Sequence, residues 1–193
     1  MIPVLLEGPA VEPVSLAEAK LWLRLDGAAE DDLVQALIVA ARLLVEAEIG
    51  QVLIGQNWRL IADAWPAGAT IPVRVGRVLA VAGGRVFDGD GQPAAIPAEN
   101  FTVLGAGEVP QILPAARPQP GRAHAGIEID LRLGFGETPS DVPDTIRLAI
   151  RRLVVMWFEN RGDVESAETG LPPQIRALLR PFRRVRLGGR DVA

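Results

Sequence analysis

The run DGDGQPAAIPAE, residues 88–99, is the first stretch of this chain whose residue types could do chemistry. Asp88, Asp90 and Glu99 stand at positions 1, 3 and 12 of a calcium-loop spacing, where oxygen ligands can wrap a hard cation. The remainder of the pattern fails. Gln92 takes position 5, and Pro93 stands where glycine must make the sharp turn. The flanks alternate like strands, so the run reads as a hairpin turn and no metal is expected. His124 is the only histidine and lies in a Pro/Gly-rich stretch with no acid or nucleophile beside it in sequence. Asp31 and Asp32 are adjacent, so they point to different sides of a helix and suit its N-terminus better than acid–base catalysis. There is no cysteine, which excludes thiol catalysis, Cys-type zinc sites and disulfides. No phosphate loop, G-x-S-x-G elbow or H-E-x-x-H helix is present. The chain is expected not to be an enzyme and to need no cofactor.

One cluster remains. Arg176, Arg180, Arg183, Arg184 and Arg186 crowd the C-terminal end with Phe182 among them. Residues 1–66 carry four basic and ten acidic side chains, whereas residues 174–193 carry six arginines and one aspartate. The net charge of −4 thus hides an acidic body and a basic end, a polarity suited to meeting neighbours. With one aromatic residue in the cluster, a base-stacking platform for nucleic acid has little support. An acidic protein surface fits the arginines at least as well, because the planar guanidinium pairs carboxylates bidentately. A solvated helix face is the plain alternative.

Two amphipathic segments precede the cluster, one at each end of the chain. In PVSLAEAKLWLRLDG, Ser15 and Glu18 form an S-x-x-E capping box. Leu16, Ala19, Trp22 and Leu23 recur at helical spacing, and Asp26-Gly27 supplies a stop. In EDDLVQALIVAARLLVEAEIG, Leu33, Leu37, Ala40, Ala41, Leu44 and Glu48 trace one stripe, Val34, Ile38, Val45 and Ile49 widen it, and Gly50 ends it. From Gln51 the period changes. NWRLIADAW, IPVRVGRVLAV, RVFDGDGQPAAI, NFTVLG and VPQILP read as short strands. GIEIDLRLGFG alternates cleanly, with Ile127, Ile129, Leu131, Leu133 and Phe135 on one face. PAARPQPGRAHAG reads as a long irregular loop, mobile or shaped by a partner. Helix returns in SDVPDTIRLAIRRLVVMWFENR, capped by Ser140 or Asp141, whose apolar second half predicts burial on nearly all sides. LPPQIRALLRPFRRVRL predicts a short helix, with a segment from Leu171 too small to stabilise itself alone.

The expected fold is α+β: a helical core, residues 1–50 and 137–180, a β-rich insertion, 51–136, and a basic tail, 181–193. No apolar run approaches ~18 residues, so no membrane-spanning helix is expected. The start MIPVLLEGP lacks the basic region of a signal peptide. Lys20 is the only lysine, and the abundance of Arg, Ala, Gly and Pro suits a GC-rich bacterial genome.

The order of segments resembles the head–tail connector, or adaptor, proteins of long-tailed bacteriophages and phage-like gene transfer agents. The resemblance is carried by VSLAEAKLWLRLDGAAEDDLVQALIVAARLLVEAEIG, by the strand ending GFG, by VPDTIRLAIRRLVVMWFENR and by LPPQIRALLRPFR, about half the chain. It implies a structural subunit of a ring, commonly of twelve copies, docked on the capsid portal protein. DNA passes through that ring without sequence-specific binding, and a stopper or tail-completion protein follows on the tail side. It implies a place in the neck of a particle assembled in the bacterial cytoplasm, away from membranes. The portal-docking residues are then expected to be Arg176, Arg180, Phe182, Arg183, Arg184 and Arg186. The competing expectation is a DNA-binding accessory protein that uses the same basic end.

Overall fold

Alternation over residues 127–133 produces the central strand of the molecule. The computed structural model describes residues 1–105, 109–160 and 171–184. Eight strands and four helices follow in chain order among them. They are β1 (Ile2–Glu7), α1 (Leu16–Leu23), α2 (Asp31–Ile49), β2 (Gln56–Ala62), β3 (Ile71–Pro72), β4 (Val78–Phe87), β5 (Pro93–Ile96), β6 (Phe101–Leu104), β7 (Gln111–Pro114), β8 (Ile127–Leu133), α3 (Asp144–Glu159) and α4 (Pro173–Leu179). The fold is α+β, with one antiparallel sheet ordered β1-β2-β8-β4-β5 and a second ordered β3-β7-β6.

Ile127, Ile129, Leu131 and Leu133 of β8 are buried, as the alternation requires. They pack with Leu60, Ile71, Val73, Val86, Phe101 and Ile112 between the two sheets. The opposite face of β8 is ionic: Arg59 makes a bidentate pair with Asp130 at 2.6 and 2.9 Å, and Arg85 reaches Glu128 at 2.9 Å. Phe135 leaves the strand's face and joins the helical core instead.

A second apolar cluster gathers the helices. Ala19, Val34, Ile38, Ala41, Val45 and Ile49 meet Ile146, Ala149, Ile150, Leu153 and Val154. Here the orientation of α2 corrects the sequence reading. The inward face is Val34, Ile38, Ala41, Val45 and Ile49, while Leu33 and Leu44 of the stripe first drawn are exposed. A buried polar network flanks that inward face. Arg42 is only 6% exposed. Its Nε donates to Glu12 at 2.8 Å, and its other end donates to Glu46 at 2.9 Å. Glu46 also accepts from the Leu53 backbone N–H at 2.9 Å and from Gln56 at 2.8 Å. Burial pushes the Glu46 carboxyl above the usual carboxylate range, opposed by the Leu53 N–H and the Arg42 charge.

Several local expectations also change. β1 was not anticipated: its six residues are all exposed and show no inside–outside alternation, yet they pair antiparallel with β2. Helix α1 stops at Arg24 in the left-handed conformation (φ 55°), ahead of Asp26-Gly27. Asp141 caps a preceding short 3-10 turn by accepting from Thr138, and Pro143 precedes α3. The second half of α3, from Val155 to Phe158, is half-buried and not enclosed. The loop after β7 is held by its own contacts. Arg117 donates to the carbonyls of Pro66, Gly68 and Ala69, Trp65 donates to Pro118 O at 2.8 Å, and Arg122 lies 3.8 Å over the Phe87 ring. The 88–92 turn is a hairpin, in which Asp88 Oδ1 accepts from the N–H groups of Asp90 and Gln92 at 3.0 and 2.8 Å.

Candidate docking site

The proline pair at 172–173 starts α4 without needing the missing N–H, and the apolar spacing 171, 175, 179 turns one side inward. Leu171, Ile175 and Leu179 are buried against the helical core. The segment from Leu171 does not stand alone: through residue 184 it is packed on the body. Three further contacts fasten its end. Gln51 Nε2 donates to Phe182 O at 2.6 Å, the Arg184 N–H donates to Ile49 O at 3.1 Å, and the Arg184 guanidinium reaches Val73 O and Gly76 O at 3.4 and 3.3 Å. The Phe182 ring meets Phe135 edge-on with centroids 6.5 Å apart, and Arg77 lies 4.3 Å over Phe135.

The six residues expected to dock therefore divide. Phe182 and Arg184 are half-buried and join the helical core to the β-rich part. Arg176, Arg180 and Arg183 are exposed, and their spacing lines them along one side of α4 and the turn that follows. Arg186 lies outside the described residues. The exposed three border an open cavity of about 320 Å³ shared with Glu48 and Pro173. Its acid stands at the rim, where Arg183 is 3.9 Å from Glu48 with more than half of the arginine side chain in solvent. Such a loose exposed pair contributes at most ~1 kcal/mol, so the guanidinium can exchange partners at little cost. With Phe182 turned inward, the cluster has no aromatic platform for nucleic-acid bases. The arrangement can hold an acidic, carboxylate-bearing surface.

Elsewhere the chemistry candidates remain scattered. Among the described residues no group of three or more His, Cys, Asp and Glu side chains could hold a metal ion. The His124 side chain is 90% exposed, with Asp63 at 3.7 Å as its acidic neighbour. Lys20 had no role in the sequence reading and Asp31 only a place in the first turn of a helix, and the fold joins the two. Lys20 Nζ donates to Asp31 at 2.5 Å and to the Gly27 carbonyl, closing the link between α1 and α2. Glu18, read as half of a capping box, instead takes Arg147 at 2.9 Å and Arg151 from α3. Ser15 does cap, accepting from the Glu18 N–H at 3.2 Å. The motif residues thus lock three helices together.

Residues 13–82, which carry the α1 and α2 side of this lock, match the family model described as Phage gp6-like head-tail connector protein. The chain resembles the head–tail connectors. Likeness to solved structures covers nearly the whole chain. A chain of a structure described as the neck of an empty GTA particle computed with C6 symmetry is 27% identical, with a TM-score of 0.83 over 98% of this chain and 100% of that one. A chain of the neck of a native GTA particle computed with C12 symmetry is 28% identical, with a TM-score of 0.73 over 97% and 99%. A chain of the virion of a native gene transfer agent (GTA) particle shares the fold at 24% identity, with a TM-score of 0.80 over 98% of each chain. Among curated proteins, no sequence matches at a significant level.

Proposed function

We propose that this chain is a structural, non-enzymatic connector subunit in the head–tail neck of a phage-like particle. Copies form a ring, of twelve subunits in the fully symmetric case. The ring docks on the portal protein, continues the DNA channel and presents its other side to a stopper or tail-completion factor. The observation that carries this reading is the near-complete coverage, at 27–28% identity, of chains from symmetric GTA necks, together with the connector-family match over residues 13–82. The division into a helical core and a β-rich insertion fits a subunit whose core repeats around a ring while its insertion adapts to neighbours.

Arg176, Arg180 and Arg183 are the proposed portal contacts, with Phe182 and Arg184 holding the segment in place and Arg186 extending the basic end. Replacing Arg176, Arg180 and Arg183 together with alanine removes charge without touching the buried side of α4. The variant is expected to keep the wild-type melting temperature, while heads without tails accumulate in particle preparations. Each exposed pair is worth only ~0–1 kcal/mol, but the loss repeats in every subunit of the ring. Tailed particles at normal yield would show that these arginines are a solvated face. A DNA-binding accessory protein would instead bind duplex with a steep salt dependence and lose it in the same variant.

A further inference from the structure

Helix α2 is turned inside out with respect to charge. From Leu33 to Ala47 its exposed residues are Leu33, Gln35, Ala36, Ala40, Leu43, Leu44 and Ala47, of which only Gln35 is polar. Its long charged side chains in the same span, Arg42 and Glu46, face inward to Glu12, Leu53 N–H and Gln56. A helix at a protein surface ordinarily does the reverse. Leu33, Leu43 and Leu44 are 38%, 51% and 37% exposed, and Leu37 beside them packs against the edge of the helical core. The spacing is specific. Leu33, Leu37, Ala40, Leu44 and Ala47 follow one another at alternating steps of four and three, the period of a helix–helix seam. Alanine at two of the five places leaves room for a neighbouring backbone to come close.

The geometry points to a second copy of this chain as the occupant of the seam, which we propose is one half of the subunit interface in the ring. This rests on the connector reading above. The chain's own remaining residues are poor candidates: AGE, RGDVESAETG and VRLGGRDVA contain one leucine, no isoleucine and no aromatic residue. Rotational symmetry, as in the C6 and C12 necks to which this fold is similar, repeats every subunit about one axis, so another copy is a neighbour common to all of them. A rotational ring is built from heterologous contacts, so the seam meets a different surface of the next copy and not its own image. Such a contact leaves the seam of a free subunit uncovered.

The test uses the full chain in cells that produce the particle. A photoreactive benzoylphenylalanine at position 44 is expected to cross-link the chain to itself, giving a ladder at multiples of the chain mass in purified necks. The same residue at the exposed position 152 on α3 serves as a control for chance proximity. Leu44→Glu is expected to melt like wild type as an isolated subunit, since the site is exposed, and to lower the yield of tailed particles by more than about tenfold, because a lone carboxylate would be buried at every interface. Gln35→Glu, off the seam, is expected to leave the yield unchanged. A position-44 cross-link to a different protein, or normal yield from Leu44→Glu, overturns the inference. If imaging shows copies of the chain in the neck but position 44 gives no self-product, the connector reading stands and the seam proposal fails. If the chain is absent from the neck, both fall.

Discussion

Removing the Glu46 carboxylate tests whether the buried network sets the orientation of α2. In Glu46→Ala the Leu53 N–H and the Gln56 amide each lose a partner in a dry site, and Arg42 keeps only Glu12. Three hydrogen bonds to one charged acceptor, each at the lower end of the range for such bonds, ~1.5 kcal/mol, give a loss of about 4 kcal/mol. This agrees with the ~3–5 kcal/mol found when one member of a buried ion pair is deleted. For a chain of this length the melting temperature should fall by about 10 °C. Glu46→Gln should cost less, because its carbonyl can still accept from Leu53 and Gln56 while its NH₂ opposes Arg42. Urea unfolding of the three proteins at neutral pH measures both differences. The pH dependence supplies an independent sign. Burial raises the Glu46 carboxyl above its ordinary value, so the folded state holds that proton more tightly than the unfolded chain. Its linked stabilisation is complete below the unfolded value and is lost as pH rises through the raised folded value. The stability of wild type relative to Glu46→Gln should therefore improve as pH falls from neutrality towards about 5. A Glu46→Ala protein within ~1 kcal/mol of wild type, or a gap that moves the other way with pH, would refute the network as the determinant.

Asp141 is the opposite titration case: the Thr138 N–H first, and then its hydroxyl, hold the carboxyl below the usual range. The advantage of wild type over Asp141→Ala should persist above the ordinary carboxylate value and close as pH falls through the lowered one, as followed by acid unfolding. At Gly134, with φ +156°, an added Cβ would lie 2.7 Å from Ile54 C and 2.8 Å from Gly55 N, both backbone atoms. Gly134→Ala should thus cost at least about 2 kcal/mol in urea unfolding. Phe182→Ala removes the ring that meets Phe135 and should cost about 2 kcal/mol. The loss should appear in hydrogen exchange as faster exchange in α4 before α2 is affected.

What the sequence determined by itself is whatever a local period can encode. β8 has one wet and one dry face, so its alternation of two is readable without knowing what lies on either side. The change of period at Gln51 and back to helix near residue 140 likewise marked the β-rich part, because helices and strands repeat differently. The run of arginines at 176–186 was legible as a basic end, but not which of them point outward. Tertiary structure decided that, since Phe182 turns inward only because Phe135 is there to receive it, and Arg184 because Val73 and Gly76 offer carbonyls. The edge strand β1 was invisible for the same kind of reason: exposed on both faces, it carries no period, and β2, some fifty residues away, is what makes it a strand. Helix α2 shows the limit most clearly. It has two apolar faces, and its sequence does not say which of them faces the core. The choice falls to Glu12, the Leu53 N–H and Gln56, brought together only by folding, because a buried arginine and glutamate must go where their partners are.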